Sequence, residues 1–161
     1  MKRLLSIISI AVLALGAANA QILSINFDDP DQPGAAGDTL QFFGTITNNS
    51  DSTVFLNNDA LNFTLSDASY MLTDDFFNTP VSLDPDSTST DIELFDITLS
   101  DPQADPLDTY PGTYGLIGGA DGNAQDNLGQ ANFSVTTTPE PSSWVFLLTG
   151  LGLMSWRVRR N

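Results

Sequence analysis

The chain contains no histidine and no cysteine, and none of its five Lys and Arg residues lies between Arg3 and Arg157. Without His there is no imidazole base; without Cys there is no thiolate nucleophile, no disulfide framework and no zinc site of the nitrogen and sulfur kind. Most hydrolase mechanisms lose a member on these grounds alone. The missing cations exclude more. All 20 acidic residues except Glu140 fall between Gln21 and Thr138, a span without one positive side chain, in a protein of 161 residues and net charge -15. Binding a phosphate backbone or an anionic lipid surface depends on Lys and Arg displacing counterions, so this span has neither nucleic acid nor membrane as a partner. With 41% hydrophobic residues it is still able to bury a core, and its length is that of one domain.

The cations gather where the acids stop. Met1-Lys2-Arg3, an apolar run from Leu4 to Ala18 and the closing Ala18-Asn19-Ala20 are the three parts of a secretory signal peptide, with Ala18 and Ala20 at the cleavage site and Gln21 as the first mature residue. The run falls short of the ~20 residues that a spanning helix needs, which argues against a retained anchor. The far end carries Thr136-Thr137-Thr138-Pro139-Glu140-Pro141, Ser142-Ser143, an apolar run from Trp144 to Trp156 and the cations Arg157, Arg159 and Arg160. The prolines deny the chain a helix before Ser142, the apolar run favours one after it, and the closing cations resist translocation. Trp144 and Trp156 are placed near the two interfaces of a thin membrane helix: thirteen residues rise only ~20 Å against a ~30 Å hydrocarbon core. A buried core helix is the alternative, and three Arg in four residues end it poorly.

Pro139-Glu140-Pro141 followed by a short hydrophobic helix and a terminal Arg cluster resembles the PEP-CTERM sorting signal of exported Gram-negative bacterial proteins, over residues 138–161. The resemblance implies an exosortase as processing partner, passage through the inner membrane, and delivery to the cell surface or the exopolysaccharide matrix. The organisation expected is therefore a signal peptide at 1–20, a folded domain at 21–135, a Thr/Pro linker at 136–143, and the helix and Arg tail at 144–161.

Between the signals the hydrophobic pattern has period two, punctuated by Gly, Pro, Asn and Asp, the mark of short strands and turns. Leu23, Ile25 and Phe27 share one face; so do Leu40, Phe42 and Ile46, after which Asn48-Asn49-Ser50-Asp51 turns the chain in an expected hairpin. Residues 53–57 and 61–66 read as two further strands, and 70–89 as an irregular crossover pinned to the core by aromatic residues. Ile92 and Leu94 have one parity, whereas Phe95, Ile97 and Leu99 have the other. A bulge near Leu94 or Phe95 would turn both sets inward. Residues 110–118 and 130–137 complete about seven strands, and no helical periodicity appears outside the two signals. The pattern predicts an all-β chain, a single Greek-key β-sandwich, with helices only in the two terminal signals. Gly37 to Asn48, Glu93 to Leu99 and Gly112 to Leu116 resemble strands of immunoglobulin-like bacterial surface domains, a resemblance that brings no catalytic residues with it.

With carboxylates almost the only ionisable groups, the remaining enzymatic chemistry is a paired-carboxylate hydrolase, for which Asp74 with Asp75 or Asp84 with Asp86 would be the pairs. Adjacent Asp residues beside prolines are more often turn formers, and no cation steadies a substrate; the reading is that the protein is not an enzyme. Calcium is the better chemical hypothesis, because hard cations take carboxylate, amide and carbonyl oxygens. Three loops qualify: Asp28-Asp29-Pro30-Asp31, Asp84-Pro85-Asp86, and Asp121 to Asp126, where Asp121, Asn123 and Asp126 are the candidate ligands. The last loop fails as an EF-hand, with Asp126 where its Gly belongs and Asn132 where its Glu belongs. Asn48, Asn62 and Asn132 open Asn-x-Ser/Thr sequons, to which no role is assigned.

Two functions from different classes follow. One is a non-enzymatic protein of the cell surface or extracellular matrix, associated with biofilm or exopolysaccharide. The other is a carbohydrate-binding module, whose sequence support is Phe43 and Phe55, two aromatics that break the inward parity; paired and exposed, they would stack on sugar.

Overall fold

Each inward face read from the sequence becomes one wall of a two-sheet sandwich. The computed structural model describes residues 21–66 and 68–139. Nine strands are formed among them: β1 (Leu23–Phe27), β2 (Asp31–Gly34), β3 (Thr39–Asn48), β4 (Val54–Phe63), β5 (Tyr70–Asp74), β6 (Ser82–Leu83), β7 (Ile92–Leu99), β8 (Thr109–Gly119) and β9 (Asp126–Thr137), with a single 3-10 turn at Phe76–Asn78. One sheet has the order β1-β3-β7-β5, and the other β2-β9-β8-β4-β6. These are the A-B-E-D and G-F-C orders of an immunoglobulin-type sandwich, so the chain is all-β with that architecture. All pairings are antiparallel except β2 with β9. The chain crosses from the first sheet to the second between Phe27 and Asp31, and β2 then closes the far edge beside β9. Among the described residues no helix is long and apolar enough to cross a membrane.

The core is aromatic at its centre. Phe42 of β3 stacks on Phe95 of β7 at 4.6 Å, Phe95 stacks on Tyr114 of β8 at 5.2 Å, and Phe133 of β9 lies against both phenylalanines at 5.0 Å. Phe27 meets these four rings edge-on at 5.9–6.4 Å, closing the cluster from β1. Such offset and edge contacts add about 0.5–1.5 kcal/mol per pair beyond burial. At the entrance to β8 the Tyr110 hydroxyl donates to the Pro106 carbonyl at 2.7 Å, a tie between strand and preceding loop like the tyrosine corner of immunoglobulin-type sandwiches.

Several expectations change. The hairpin after β3 is not formed: β3 pairs with β1 and β7, β4 pairs with β8 and β6, and the 48–53 turn carries the chain from one sheet to the other. The two strands expected at 53–57 and 61–66 are one, because a bulge at Asn57 resets the parity without ending the ladder. The crossover at 70–89 contains β5 and β6. Phe76 packs against the core as expected, but Phe77 is 94% exposed and pins nothing. At the other end β9 continues through Thr137, which is buried and donates to Asp108 and Pro106 carbonyls, so the linker starts two residues later than position 136. The bulge expected on β7 is present. Phe42 faces Phe95 while Phe43 faces Glu93, so Leu94 is the extra residue and both Leu94 and Phe95 are buried.

Candidate functional site

That bulge builds the site. On a regular strand Glu93 and Asp96, three residues apart, would point to opposite faces. With Leu94 and Phe95 both turned into the core, the two acids emerge on the same outer face. Beside them β5 pairs Thr73 with Asp96 and Asp74 with Phe95, and the next residue, Asp75, continues that pairing by donating its N–H to the Leu94 carbonyl at 3.2 Å. Asp75, Glu93 and Asp96 thereby bring carboxylate oxygens within 4.8 Å of one another. Asp75 Oδ2 and Asp96 Oδ1 are buried and have no hydrogen-bond partner. Glu93 Oε1 accepts a 2.8 Å bond from the Gln41 amide on β3. Desolvation raises the Asp75 carboxyl above its ordinary value, and repulsion from Glu93, Asp96 and Asp74 adds to the rise.

A second pair of acids lies next to this group. Asp59 sits on β4 past the Asn57 bulge, half-buried at the open side of the sandwich, and Asp74 ends β5 with Oδ1 capping the Phe76 N–H at 2.8 Å. Tyr114 crosses the core behind Phe95; it is completely buried, and its phenol is raised far above the ordinary range by burial and by the charges of Asp59, Asp74 and Asp75. Its hydroxyl faces the Asp59 carboxylate at hydrogen-bonding range, which holds the Asp59 carboxyl down and adds to the rise of the phenol. Burial pushes the Asp59 carboxyl up to about 6, helped by the charge of Asp74. Five carboxylates, from β4, β5, β7 and the residue after β5, thus lie along one edge, in a span with no Lys or Arg to balance them.

Of the residues singled out in the sequence, Asp74 and Asp75 belong to this edge, and Glu93 and Asp96 are the partners that sequence reasoning missed. The signal was present: a bulge expected at Leu94 implies that its two acidic neighbours share a face. Several of the other candidates make local hydrogen bonds. Asp121 Oδ1 caps the Asn123 N–H at 2.8 Å, while Asn57 donates to the Asp121 and Ala124 carbonyls at 2.9 and 2.8 Å, and Asp126 opens β9. Asp84 Oδ1 accepts from Thr53 at 3.3 Å, its carbonyl accepts from Ser87, and Asp86 holds the positive φ of the same turn. Asp31 Oδ1 accepts from Ser134 at 2.6 Å, tying β2 to β9.

Phe43 and Phe55 do not form a platform. Each points away from the core, but Phe43 is on the sheet of β3 and Phe55 on the sheet of β4, at opposite outer faces. The groove of about 420 Å³ on the outer face of the second sheet is lined by Asn62, Thr64, Pro111, Gly112, Thr113 and Asn132, with no aromatic ring for a sugar to stack on. The signal peptide with Ala18 and Ala20, together with Glu140, Pro141, Trp144, Trp156, Arg157, Arg159 and Arg160, lies outside the described residues.

No protein-family model matches the chain, and no curated protein does. Among solved structures it is similar to a fragment of Escherichia coli alpha-2-macroglobulin running from domain MG7 to the C-terminus, at 18% identity and a TM-score of 0.49, over 74% of this chain and 17% of that one. It is also similar to the secreted serine protease VesC of Vibrio cholerae, at 12% identity and 0.47, over 80% and 26%. The periplasmic chaperone SfaE matches at 14% identity and 0.40, over 73% and 58%. The chain spans less than two thirds of the length of each of these proteins.

Proposed function

We propose that the protein is a non-enzymatic component of the cell surface or extracellular matrix, exported by its signal peptide and released through a C-terminal sorting signal of the PEP-CTERM kind that an exosortase cuts. One observation carries the reading: the last strand, β9, ends at Thr137, two residues before Pro139. The last ladder contact is the Thr138 N–H donating to the Gly34 carbonyl at 2.8 Å, and Pro139, the first residue of Pro139-Glu140-Pro141, is exposed. A proline fixes its own φ and holds the residue before it extended, the backbone form a peptidase engages. A motif placed there is within reach of a membrane enzyme while the sandwich stays folded. The acidic, cation-free domain then supplies negative charge outside the cell, where it associates with polymer through cations.

The test replaces Pro139-Glu140-Pro141 by Ala in the native host and measures intact mass in each cell fraction. Wild type is expected outside the cell and shorter than the sequence by both signals, with the Ala variant accumulating uncut in the inner membrane. Extracellular wild type that still ends at Asn161 overturns processing. A variant released like wild type overturns the role of the motif.

A further inference from the structure

We propose that the outer face of the second sheet binds a neutral glycan chain, in a groove that runs along β8 between β4 and β9. Two hollows of about 420 and 230 Å³ share Asn62 and Thr113 and so form one channel. Strand register builds it: Asn62, Thr113 and Asn132 lie side by side across the three strands, and Ala60, Gly115 and Gln130 form the next row on the same face. The side-chain amides of Asn62, Gln125, Asn127, Gln130 and Asn132 line the channel and make no hydrogen bond among the described residues. No acid is among the described residues of its wall, in a span that holds every acid of the chain but Glu140.

Gly115 is a separate observation, because packing does not require it. It lies mid-strand, where glycine weakens pairing and gives up a side chain. A Cβ on Gly112 or Gly118 would strike the Phe133 ring or the Phe55 carbonyl, so those two are dictated by the fold. A Cβ on Gly115 would find its nearest atom, the Gly129 carbonyl oxygen, at 3.5 Å, an ordinary contact, and Gly115 has no left-handed φ. What the missing side chain does is deepen the groove floor between Ala60 and Gln130, as glycine does where a ligand approaches the backbone closely.

The lining selects the ligand. A side-chain amide is donor and acceptor at once without charge, and so matches a sugar hydroxyl. An anionic polymer meets no cation here and is repelled by the rest of the span. A cationic one finds no carboxylate in the groove and several at the edge of β5 and β7. An apolar ligand would leave the amides unbonded. An extended peptide docks by adding to a free sheet edge, whereas β8 is already paired on both sides, with β4 and β9. An uncharged, hydroxyl-rich chain remains. No ring lines the groove, so hydrogen bonds alone hold the chain, and binding is weak. Contact of this kind is direct and needs no cation, which goes beyond the association proposed above, and its failure leaves the sorting proposal untouched.

The experiment uses the full chain, purified in a detergent without a sugar headgroup and kept in EDTA, and follows backbone amide NMR signals while maltohexaose, cellohexaose or mannohexaose is added. At least one of these neutral chains is expected to shift Thr113, Gly115 and Gln130 saturably, with a dissociation constant on the order of 10⁻³ M, the scale that a few neutral hydrogen bonds supply. Gly115→Thr fills the floor with a residue that suits a strand and should weaken binding at least tenfold. The double variant Asn62→Ala with Asn132→Ala should do the same. It removes two exposed side chains that bond nothing in the fold, so it should melt like wild type and keeps the test decisive if Gly115→Thr disturbs the sheet. Phe43→Thr, on the outer face of the other sheet, should leave binding unchanged. No saturable shift with any of the three hexasaccharides, binding unaltered by both groove variants, binding lost to Phe43→Thr, or binding that requires calcium would each overturn the proposal.

Discussion

Glu93 and Asp96, three residues apart on β7, present their carboxylates to one side of the sheet. The cause is Leu94, the extra residue that lets its own side chain and that of Phe95 both enter the core. A hydrophobic demand on the inside therefore dictates the electrostatics on the outside. Two apolar side chains are buried by one irregularity, and two like charges are forced together as its consequence.

Leu94→Ala isolates the apolar side of that exchange. Leu94 is fully buried within the core cluster, and truncating such a side chain costs about 2–5 kcal/mol, depending on how far the cavity collapses. The expected outcome is a loss of that size in urea unfolding, with the slope unchanged. A change below about 1 kcal/mol would mean that Leu94 is not packed as described.

Gly112→Ala tests the other sheet. Gly112 on β8 faces Phe133 on β9, and a Cβ added there would run into the Phe133 ring. The ring has nowhere to go, since Phe42, Phe63 and Phe95 hold it at 5.0–5.4 Å. Overpacking of this kind costs about 1–3 kcal/mol. Gly122→Ala, where nothing lies within 4 Å of the added atom, is the control and should be close to neutral.

Much of this architecture was legible in the sequence, because alternation is enforced by burial: Leu23, Ile25 and Phe27, or Phe42 and Ile46, have no other face to show. The β7 bulge was legible for the same reason, as two parities in one apolar run. What the sequence hid is decided by pairing across distance. Asp31 to Gly34 contains a proline and no apolar alternation, yet forms β2 because β9 offers it a parallel partner. Tyr70 to Asp74 joins β7 although four of its five residues are exposed. The acidic edge was half legible: Asp74 and Asp75 stand adjacent in the sequence, but Asp59 reaches them only through the approach of two sheets. The loop at Asp121 drew attention through its spacing, and Asp121 Oδ1 accepts from the Asn123 N–H within it.

Asn48→Asp examines the turn that replaced the expected hairpin. Asn48 is fully buried; its amide nitrogen donates to the Ser52, Leu83 and Asp84 carbonyls at 2.8, 3.0 and 3.1 Å, and its oxygen accepts from Ser50. An aspartate of the same shape turns a donor toward three acceptors into a fourth acceptor, charged and buried. The loss expected is at least the ~1–3 kcal/mol of an unsatisfied buried group, more for a charged one. Stability measured at pH 7 and again at pH 4 checks the cause, because protonating the new carboxyl should recover part of the loss. The same burial predicts that Asn48 carries no glycan in the folded protein, which intact mass reads directly.

Stability should fall as pH rises through the range from about 4 to about 6, and Asp59 is the main reason. Its carboxyl has an ordinary value of 3.8 in the unfolded chain and is pushed up to about 6 in the fold, by burial first and then by Asp74 of β5. Tyr114 of β8 faces it and, as a neighbour able to hydrogen-bond the charged form, opposes the rise. Between the two values the folded state binds the proton that the unfolded state has released, so the stabilisation is complete below about 4 and gone above about 6. Asp75, raised in the same direction, contributes with the same sign. Asp105 has the opposite sign, since hydrogen bonds from Ser66 hold its carboxyl low, but it is fully exposed and its effect is small. Urea midpoints measured in EDTA from pH 4 to pH 7 should decline for wild type. Asp59→Asn should flatten the decline without lowering stability at pH 7, where the wild-type carboxylate is charged and half-buried beside Asp74. A midpoint that rises across this range, or an Asp59→Asn variant with an unchanged slope, would show that Asp59 does not hold its proton in the fold.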